Sequence, residues 1–474
     1  MTMHSVRIYD EADPSNPIYL TSAYIFLGAP FVPRSPDISE EEAVDQTADG
    51  GEVINATRRN VTETIEILLT GTTTDNCRAL GRSLEVKLVG AEYYQRWKMG
   101  GRKFLEVQWG ASGDWYRSEI LTGKVEYGEE ATRLGWMALA LPAALIVKRR
   151  FYWEASTEVE VALAVKGAAK ATGGVAIYNH ADTGATHGNW VHIAAADVAG
   201  VLPAPCRIEL TNTYNTADHA YTVRIGQNIF SVPGSLSHVL EGESCDYSYG
   251  SAGVPVDDDD ASGAHHEAIT WNVTTEQLLI GWTLGTTLLS YCRGNYFRLL
   301  ARLIAVVGNE RITPKITYGA SHTSIAEAPE VLLDDSYTLQ DLGVLQIPPW
   351  LPGDASSGAV DLMFYGHAPG SPNNLYVDYV QLTPLDRYRV LTPRSYGLPY
   401  GLRLMDDGMA GTVYTDNGAG AGKAGHYVGT GNLISLWPGK DQRLYFLTSN
   451  DTGGCEILRT AVVRIYYRPR RLTL

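Results

Sequence analysis

Few residues in this chain have the types and spacing to do chemistry. The densest group is the run Asp257–Asp260, followed closely by His265, His266 and Glu267. Hard carboxylate oxygens and imidazoles in one loop suit calcium, which takes about six to eight oxygen ligands. Consecutive loop side chains diverge, however, and neither EF-hand spacing nor a DxDxDG pattern is present, so the alternative is a solvated acidic loop tip. A structural calcium ion held by Asp257, Asp258, Asp259 and Asp260 is the single metal expectation, and no other cofactor is indicated.

Nucleophilic catalysis finds no anchor. There is no GxSxG elbow and no HExxH signature, and Ser290, Cys292 and the histidines show no triad spacing. The adjacent carboxylates Asp334–Asp335 and Asp406–Asp407 point apart on a strand, whereas glycoside hydrolysis needs two facing each other across a cleft. Gly418, Gly420, Gly422 and Gly425 form a glycine-rich stretch with no βαβ unit around it, so it reads as a linker rather than a phosphate loop. The expectation is a protein that is not an enzyme.

Binding chemistry has more to work with. Trp190, Trp350, Tyr247 and Tyr249 sit in or beside Gly-, Pro- and Asp-rich loops, where aromatic faces can stack on sugar rings while Asp and Asn accept hydroxyl hydrogens. Trp271 and Trp282 flank strands and read as core. At the carboxyl end, Arg464, Arg468, Arg470 and Arg471 make a basic strip on an acidic chain. Its natural counterpart is an acidic face of another copy, such as Glu40, Glu41 and Glu42.

The elements that position these residues are mostly strands. Period-two alternation recurs in TETIEILL (62–69), FLEVQW (104–109), TEVEVALAV (157–165) and AVVRIYY (461–467), with Gly, Asn, Asp and Pro between such runs. One amphipathic helix stands out over 74–91. Thr74 or Asp75 caps it, and Cys77, Leu80, Leu84, Leu88 and Ala91 form one apolar stripe that must pack on a sheet. Residues 34–60 are polar and long for a connection, so they read as a solvated loop or as an arm that orders against a neighbouring subunit.

Composition sets the outer limits. The chain has 474 residues, 45% hydrophobic and 10% aromatic, enough for two to four packed domains and too apolar for disorder. A net charge of −15 argues against general nucleic-acid binding. The most apolar run, MALALPAALIV (137–147), is far shorter than the ~20 residues of a spanning helix. No apolar signal segment stands at the start, and five widely spaced cysteines without a CxxC suggest free thiols in a reducing compartment. Boundaries are expected near 152 and 390. They give segments 1–152, 153–390 and 391–474, the last being a small sandwich of its own or the completion of the one before it.

Three stretches carry a resemblance. Residues 61–71 (VTETIEILLTG), 91–97 (AEYYQRW) and 107–128 (VQWGASGDWYRSEILTGKVEYG) resemble tail proteins of long-tailed bacteriophages, in which a β-sandwich, a polar arm and a packed helix form rings. Residues 197–212, 296–306 and 374–384 (NLYVDYVQLTP) resemble carbohydrate-binding jelly rolls of phage tail and adhesin proteins, and 433–448 resembles the ends of phage tail proteins. The distal tail protein class is the nearest in kind.

The resemblance implies a mainly β protein, with a tail-type β-sandwich and one packed α-helix followed by jelly-roll or lectin-like sandwich modules. It also implies a structural virion protein at the distal end of the tail, assembled in the bacterial cytoplasm as a three- or sixfold homo-oligomeric ring. Its partners would be tube, hub and tape-measure proteins and host-surface glycans, with no nucleic acid and no membrane insertion. The alternatives are a receptor-binding adhesin with a defined sugar site and, behind it, a glycan-degrading enzyme.

Overall fold

The computed structural model describes residues 3–44, 51–109, 113–128, 139–165, 168–179, 188–229, 238–250, 255–271, 274–306, 310–349, 360–367, 373–416, 425–450, 454–456 and 459–474. The protein is mainly β, with two α-helices, Thr74–Trp97 and Thr286–Cys292, among the described residues. No helix there is long and apolar enough to cross a membrane. The chain divides into two units. The first is Met1–Val159 with Ala199–Pro203 and Arg468–Leu474, and the second is Glu160–Val198 with Ala204–Tyr467.

In the first unit the strands run in the order Ile18–Tyr19, Met3–Asp10, Lys103–Trp109, Trp115–Tyr127, Ala140–Arg149, Val61–Thr70 and Ile25–Leu27, each antiparallel to its neighbours. The 13-residue strand Trp115–Tyr127 joins two parts of the sheet. Its first half pairs with Lys103–Trp109 and its second with Ala140–Arg149. Alternation decides which side chains face inward: Val61, Glu63, Ile65, Ile67 and Leu69 are buried, while Thr62, Thr64 and Glu66 are exposed.

The helix is longer than its stripe predicts. Thr73 rather than Thr74 or Asp75 caps it, its side chain accepting from the Asn76 amide, and Lys98 ends it at φ 55°. Cys77, Gly81, Leu84, Leu88 and Ala91 are its buried residues. Close approach requires glycine on the sheet at Gly123, where a Cβ would lie 2.8 Å from the Ile146 carbonyl oxygen, and favours it on the helix at Gly81. A Cβ on Gly81 would lie 2.2 Å from the Tyr127 hydroxyl, and one on Gly123 would lie 3.0 Å from Leu88 Cδ2.

The polar segment 34–60 is a β-hairpin, Ile38–Val44 paired with Gly51–Arg58, and it forms a two-stranded sheet of its own. Its tip, 45–50, lies outside the described residues. The stem is tied to the core by an ion pair. Arg149 and Glu63, 0% and 1% exposed, meet at 2.6 Å; Glu63 accepts from the Arg34 amide and Arg149 donates to the Arg34 carbonyl. The Arg149 guanidinium also lies 4.4 Å over the Trp153 ring.

The second unit is a sandwich within a sandwich. One outer sheet orders Thr460–Tyr467, Ala204–Asn212, Arg403–Asp407 and Thr412–Asp416. The other orders Trp190–Ile193, Gln442–Thr448, Val223–Asn228, Arg387–Pro393 and Tyr427–Gly431. Ile208, Leu210, Leu404 and Ile465 of the first sheet share a core with Val191, Val223, Leu391 and Phe446 of the second.

Between Asn228 and Arg387 the chain builds the inner sandwich. One sheet centres on His265–Trp271, Asn373–Pro384 and Tyr296–Ala305, the other on Gln277–Thr283, Val360–His367 and Arg311–Tyr318. The helix Thr286–Cys292 adds Leu288, Leu289 and Cys292 to that core. Segment 391–474 is therefore not a separate sandwich. Its strands complete the one that begins near residue 160, and its last residues belong to the first unit.

Removing one partner of a buried ion pair strands the other charge in the core. Glu63→Ala is expected to lower unfolding free energy by about 3–5 kcal/mol in urea titrations. The apolar double replacement Glu63→Leu with Arg149→Met should cost much less.

Candidate functional site

The acidic run does not converge. Asp257 ends the strand Pro255–Asp257 and meets His265 Nε2 at 3.2 Å, while Asp258 meets His266 Nδ1 at 3.3 Å. Asp258 also closes the turn, its Oδ1 accepting from the Asp260 amide at 2.9 Å. Among the described residues no three His, Cys, Asp or Glu side chains are placed to hold a metal ion. The first two carboxylates each approach a histidine, and the next two line a separate cleft.

Asp259 and Asp260 turn toward a cleft of about 310 Å³ that Tyr214, Arg302, Thr338 and Glu456 also line. Arg302 forms part of the wall from the strand Tyr296–Ala305; it pairs with the fully buried Asp378 and donates to the Cys455 carbonyl at 2.6 Å. Asp378 in turn accepts from the Ser262 amide at 2.8 Å, which anchors the turn that presents the acidic pair. Thr338 accepts from the Cys455 amide, and Glu456 is held by Arg459 at 2.9 Å. The Arg459 guanidinium lies 4.8 Å over the Tyr214 ring. An aromatic ring and two exposed carboxylates are groups that recognise a polyhydroxylated or cationic ligand, with Arg302 a buried, already paired part of the wall.

The sequence exposed only part of this site. Asp259 and Asp260 stood out in the acidic run. Arg302 carried a weaker signal, as a charge inside the apolar stretch YFRLLARLIA. Tyr214, Thr338 and Glu456 had none, because distant strands bring them together.

The expected aromatic candidates separate. Trp190 is a correction: it lies in the strand Trp190–Ile193, 2% exposed, with Arg443 stacked 4.0 Å over its ring, so no face is open to a sugar. Trp271 and Trp282 are core, as their strand positions predict. Tyr249 is half-buried against the inner core. Tyr247 is half-buried and sets its ring edge-on to His322 at 4.8 Å, and His322 Nδ1 meets the fully buried Asp361 at 3.0 Å. Trp350 lies outside the described residues.

The expected subunit strip is partly engaged within its own chain. Arg468 pairs with Glu158 at 3.1 Å and Arg470 faces Glu154 at 3.5 Å, both within the first unit. Both guanidiniums are engaged at home, Arg470 sharing Glu154 with Arg117. Arg471 is exposed, 5.0 Å over the Tyr116 ring. Glu40 is exposed on the hairpin, and the side chains of Glu41 and Glu42 lie outside the described residues.

Cys292 and His238 approach at 3.7 Å, yet their chemistry is the reverse of an activated thiol. Burial pushes the thiol up to about 12 and the imidazole down to about 3, so both are neutral at pH 7.

Burial pushes the Glu243 carboxyl up to about 7, against a backbone hydrogen bond that lowers it, with Glu241 and Asp378 adding to the shift and His265 opposing it. The folded protein then holds a proton that the unfolded chain releases above its ordinary value of 4.5. Stability contributed by this group is present below that value and is lost as pH rises toward 7. Glu243→Gln should flatten this part of the pH–stability profile, measured by urea unfolding at half-unit pH steps.

No family model matches the chain, and no curated protein matches it. Among solved structures, the Dit (gp 19.1) protein of phage SPP1, described as a paradigm of the hub adsorption apparatus in phages infecting Gram-positive bacteria, aligns at 8% identity. That alignment has a TM-score of 0.32 and covers 98% of both chains. The phage P2 baseplate in its activated conformation with calcium aligns at 8% identity and a TM-score of 0.29, covering 49% of this chain and 74% of that one. Its strontium form gives 8% and 0.28, over 48% and 72%. Similarity at this level assigns neither a family nor an activity.

Proposed function

We propose that this chain is a structural protein of a long-tailed phage, assembled in the host cytoplasm and built into the distal end of the tail. Copies join as a three- or sixfold ring through the first unit, contact tube, hub and tape-measure proteins, and carry the nested sandwiches as a module for the host surface. The observation that carries this reading is the surface of the first unit. Tyr24, Phe26, Val32, Ile38, Val86, Tyr93, Trp97 and Leu139 are each at least 45% exposed there, beside a hairpin paired only with itself among the described residues. Large apolar side chains concentrated on one unit mark a surface that association covers. An isolated two-stranded hairpin is marginal in water and gains stability against a neighbour. The resemblance of residues 61–71, 91–97 and 107–128 to ring-forming tail proteins points the same way.

The cleft at Tyr214, Asp259 and Asp260 favours a second role, weak attachment to host glycans, in which a ring multiplies modest single-site affinity. A defined sugar receptor function is the same chemistry with a tighter site. Glycan degradation would require two carboxyl groups facing each other across a cleft.

Negative-stain electron microscopy of the purified full-length protein should reveal closed rings of three or six copies. A monodisperse monomer at high concentration would overturn the reading. For attachment, Tyr214→Ala and Asp260→Asn should each weaken binding on a glycan array by about tenfold or more without altering the rings.

A further inference from the structure

The helix Thr74–Trp97 has a second apolar stripe. Opposite its buried face, Val86, Val89, Tyr93 and Trp97 follow one another at steps of three and four residues, and they are 68%, 42%, 49% and 58% exposed. The Tyr93 and Trp97 rings meet at a tilt, with centroids 5.4 Å apart. Helix surfaces that face only water are polar, so a continuous aliphatic and aromatic stripe calls for an apolar surface outside this unit.

That surface exists on the other side of the same sheet. Register sets Phe26 beside Leu68 and Leu68 beside Pro142, and sets Glu66 beside Ala144 and Ala144 beside Glu126. Leu68, Pro142, Ala144 and Gly28 line an open groove of about 490 Å³, walled by the Glu66 and Glu126 carboxylates. These positions alternate with Ile67, Leu69 and Leu145, which face the core on the helix side. A helix on one face cannot reach a groove on the opposite face of its own sheet. The same helix in a second copy can. Charge fits as well, since Arg82 and Lys98 stand exposed on or beside the stripe, opposite in sign to Glu66, while Arg96 is paired with Glu92 and Glu126 with Lys124.

We propose that the Val86–Trp97 stripe of one copy seats in the Leu68–Pro142–Ala144 groove of the next, which makes the contact head-to-tail. Two different patches on opposite faces produce a heterologous interface, the kind that closes into a ring when the rotation fits. This inference rests on the ring reading and names the surface that builds it.

The test introduces cysteines at Trp97 and Leu68, separately and together, in the full-length protein. Both sites are solvent-accessible, and folding is checked by circular dichroism and melting. With a short bismaleimide, the double variant should give a ladder of covalent multimers up to the ring number, while each single variant stops at dimers. Trp97→Asp should raise the concentration needed for assembly by about tenfold or more. Normal rings from Trp97→Asp, with no ladder from the double variant, would overturn this interface and leave the ring reading standing. A wild-type monomer in microscopy would remove both.

Discussion

The architecture depends on how the chain re-enters its first unit. The short strand Trp153–Ala155 pairs on one side with Tyr116 and Arg117 and on the other with Arg470 and Arg471. Glu154 lies at the centre, 3.1 Å from Arg117 and 3.5 Å from Arg470, and all three side chains are largely buried. Arg117 in turn lies 4.1 Å over the Phe104 ring. A carboxylate between two guanidiniums, with an aromatic ring behind one of them, must keep both partners to offset its desolvation. The carboxyl-terminal residues are therefore a structural strand of the first unit, and everything from Glu160 to Tyr467, apart from the short return at Ala199–Pro203, is an insertion between two adjacent strands.

The same device is used again one level down. The outer sandwich of the second unit opens after Asn228 and closes from Arg387, and the inner sandwich occupies the interval. Buried polar side chains join the two. Asn189 donates to Gln381 at 2.6 Å, Arg302 donates to the Cys455 carbonyl at 2.6 Å, and His238 stacks on Tyr445 at 5.0 Å. Buried polar groups of this kind are costly unless paired, so they favour one mutual arrangement over many. The cleft of Tyr214, Asp259, Asp260 and Arg302 draws on both sandwiches, with Tyr214 from the outer one and the other three from the inner.

Local features were legible and long-range ones were not. Alternation in residues 62–69 correctly gave a half-buried strand, and the stripe from Cys77 to Ala91 correctly gave a helix on a sheet. Glu63 was visible as a charge at an inward position, but nothing local announced Arg149 as its partner. The second stripe, Val86 to Trp97, was present in the sequence and hidden by the stronger first one. Nesting left no trace, because the strand Ala204–Asn212 takes its neighbours from Arg403–Asp407 and Thr460–Tyr467, far along the chain. Trp190 misled for the same reason: a glycine-rich loop precedes it, yet Arg443 from a distant strand covers its ring. The basic carboxyl end suggested a contact between copies, and nothing local announced that Arg470 and Arg471 also pair with the strand Trp153–Ala155 of the first unit.

Hydrogen–deuterium exchange of the full chain against a chain ending at Tyr467 tests most directly whether the first unit is a split domain closed by its own carboxyl end. Loss of the terminal strand should speed exchange at Trp153–Ala155 and Tyr116–Arg117 and spread through the first unit, with the second unit unchanged. Unaltered protection throughout the first unit would contradict the split-domain architecture.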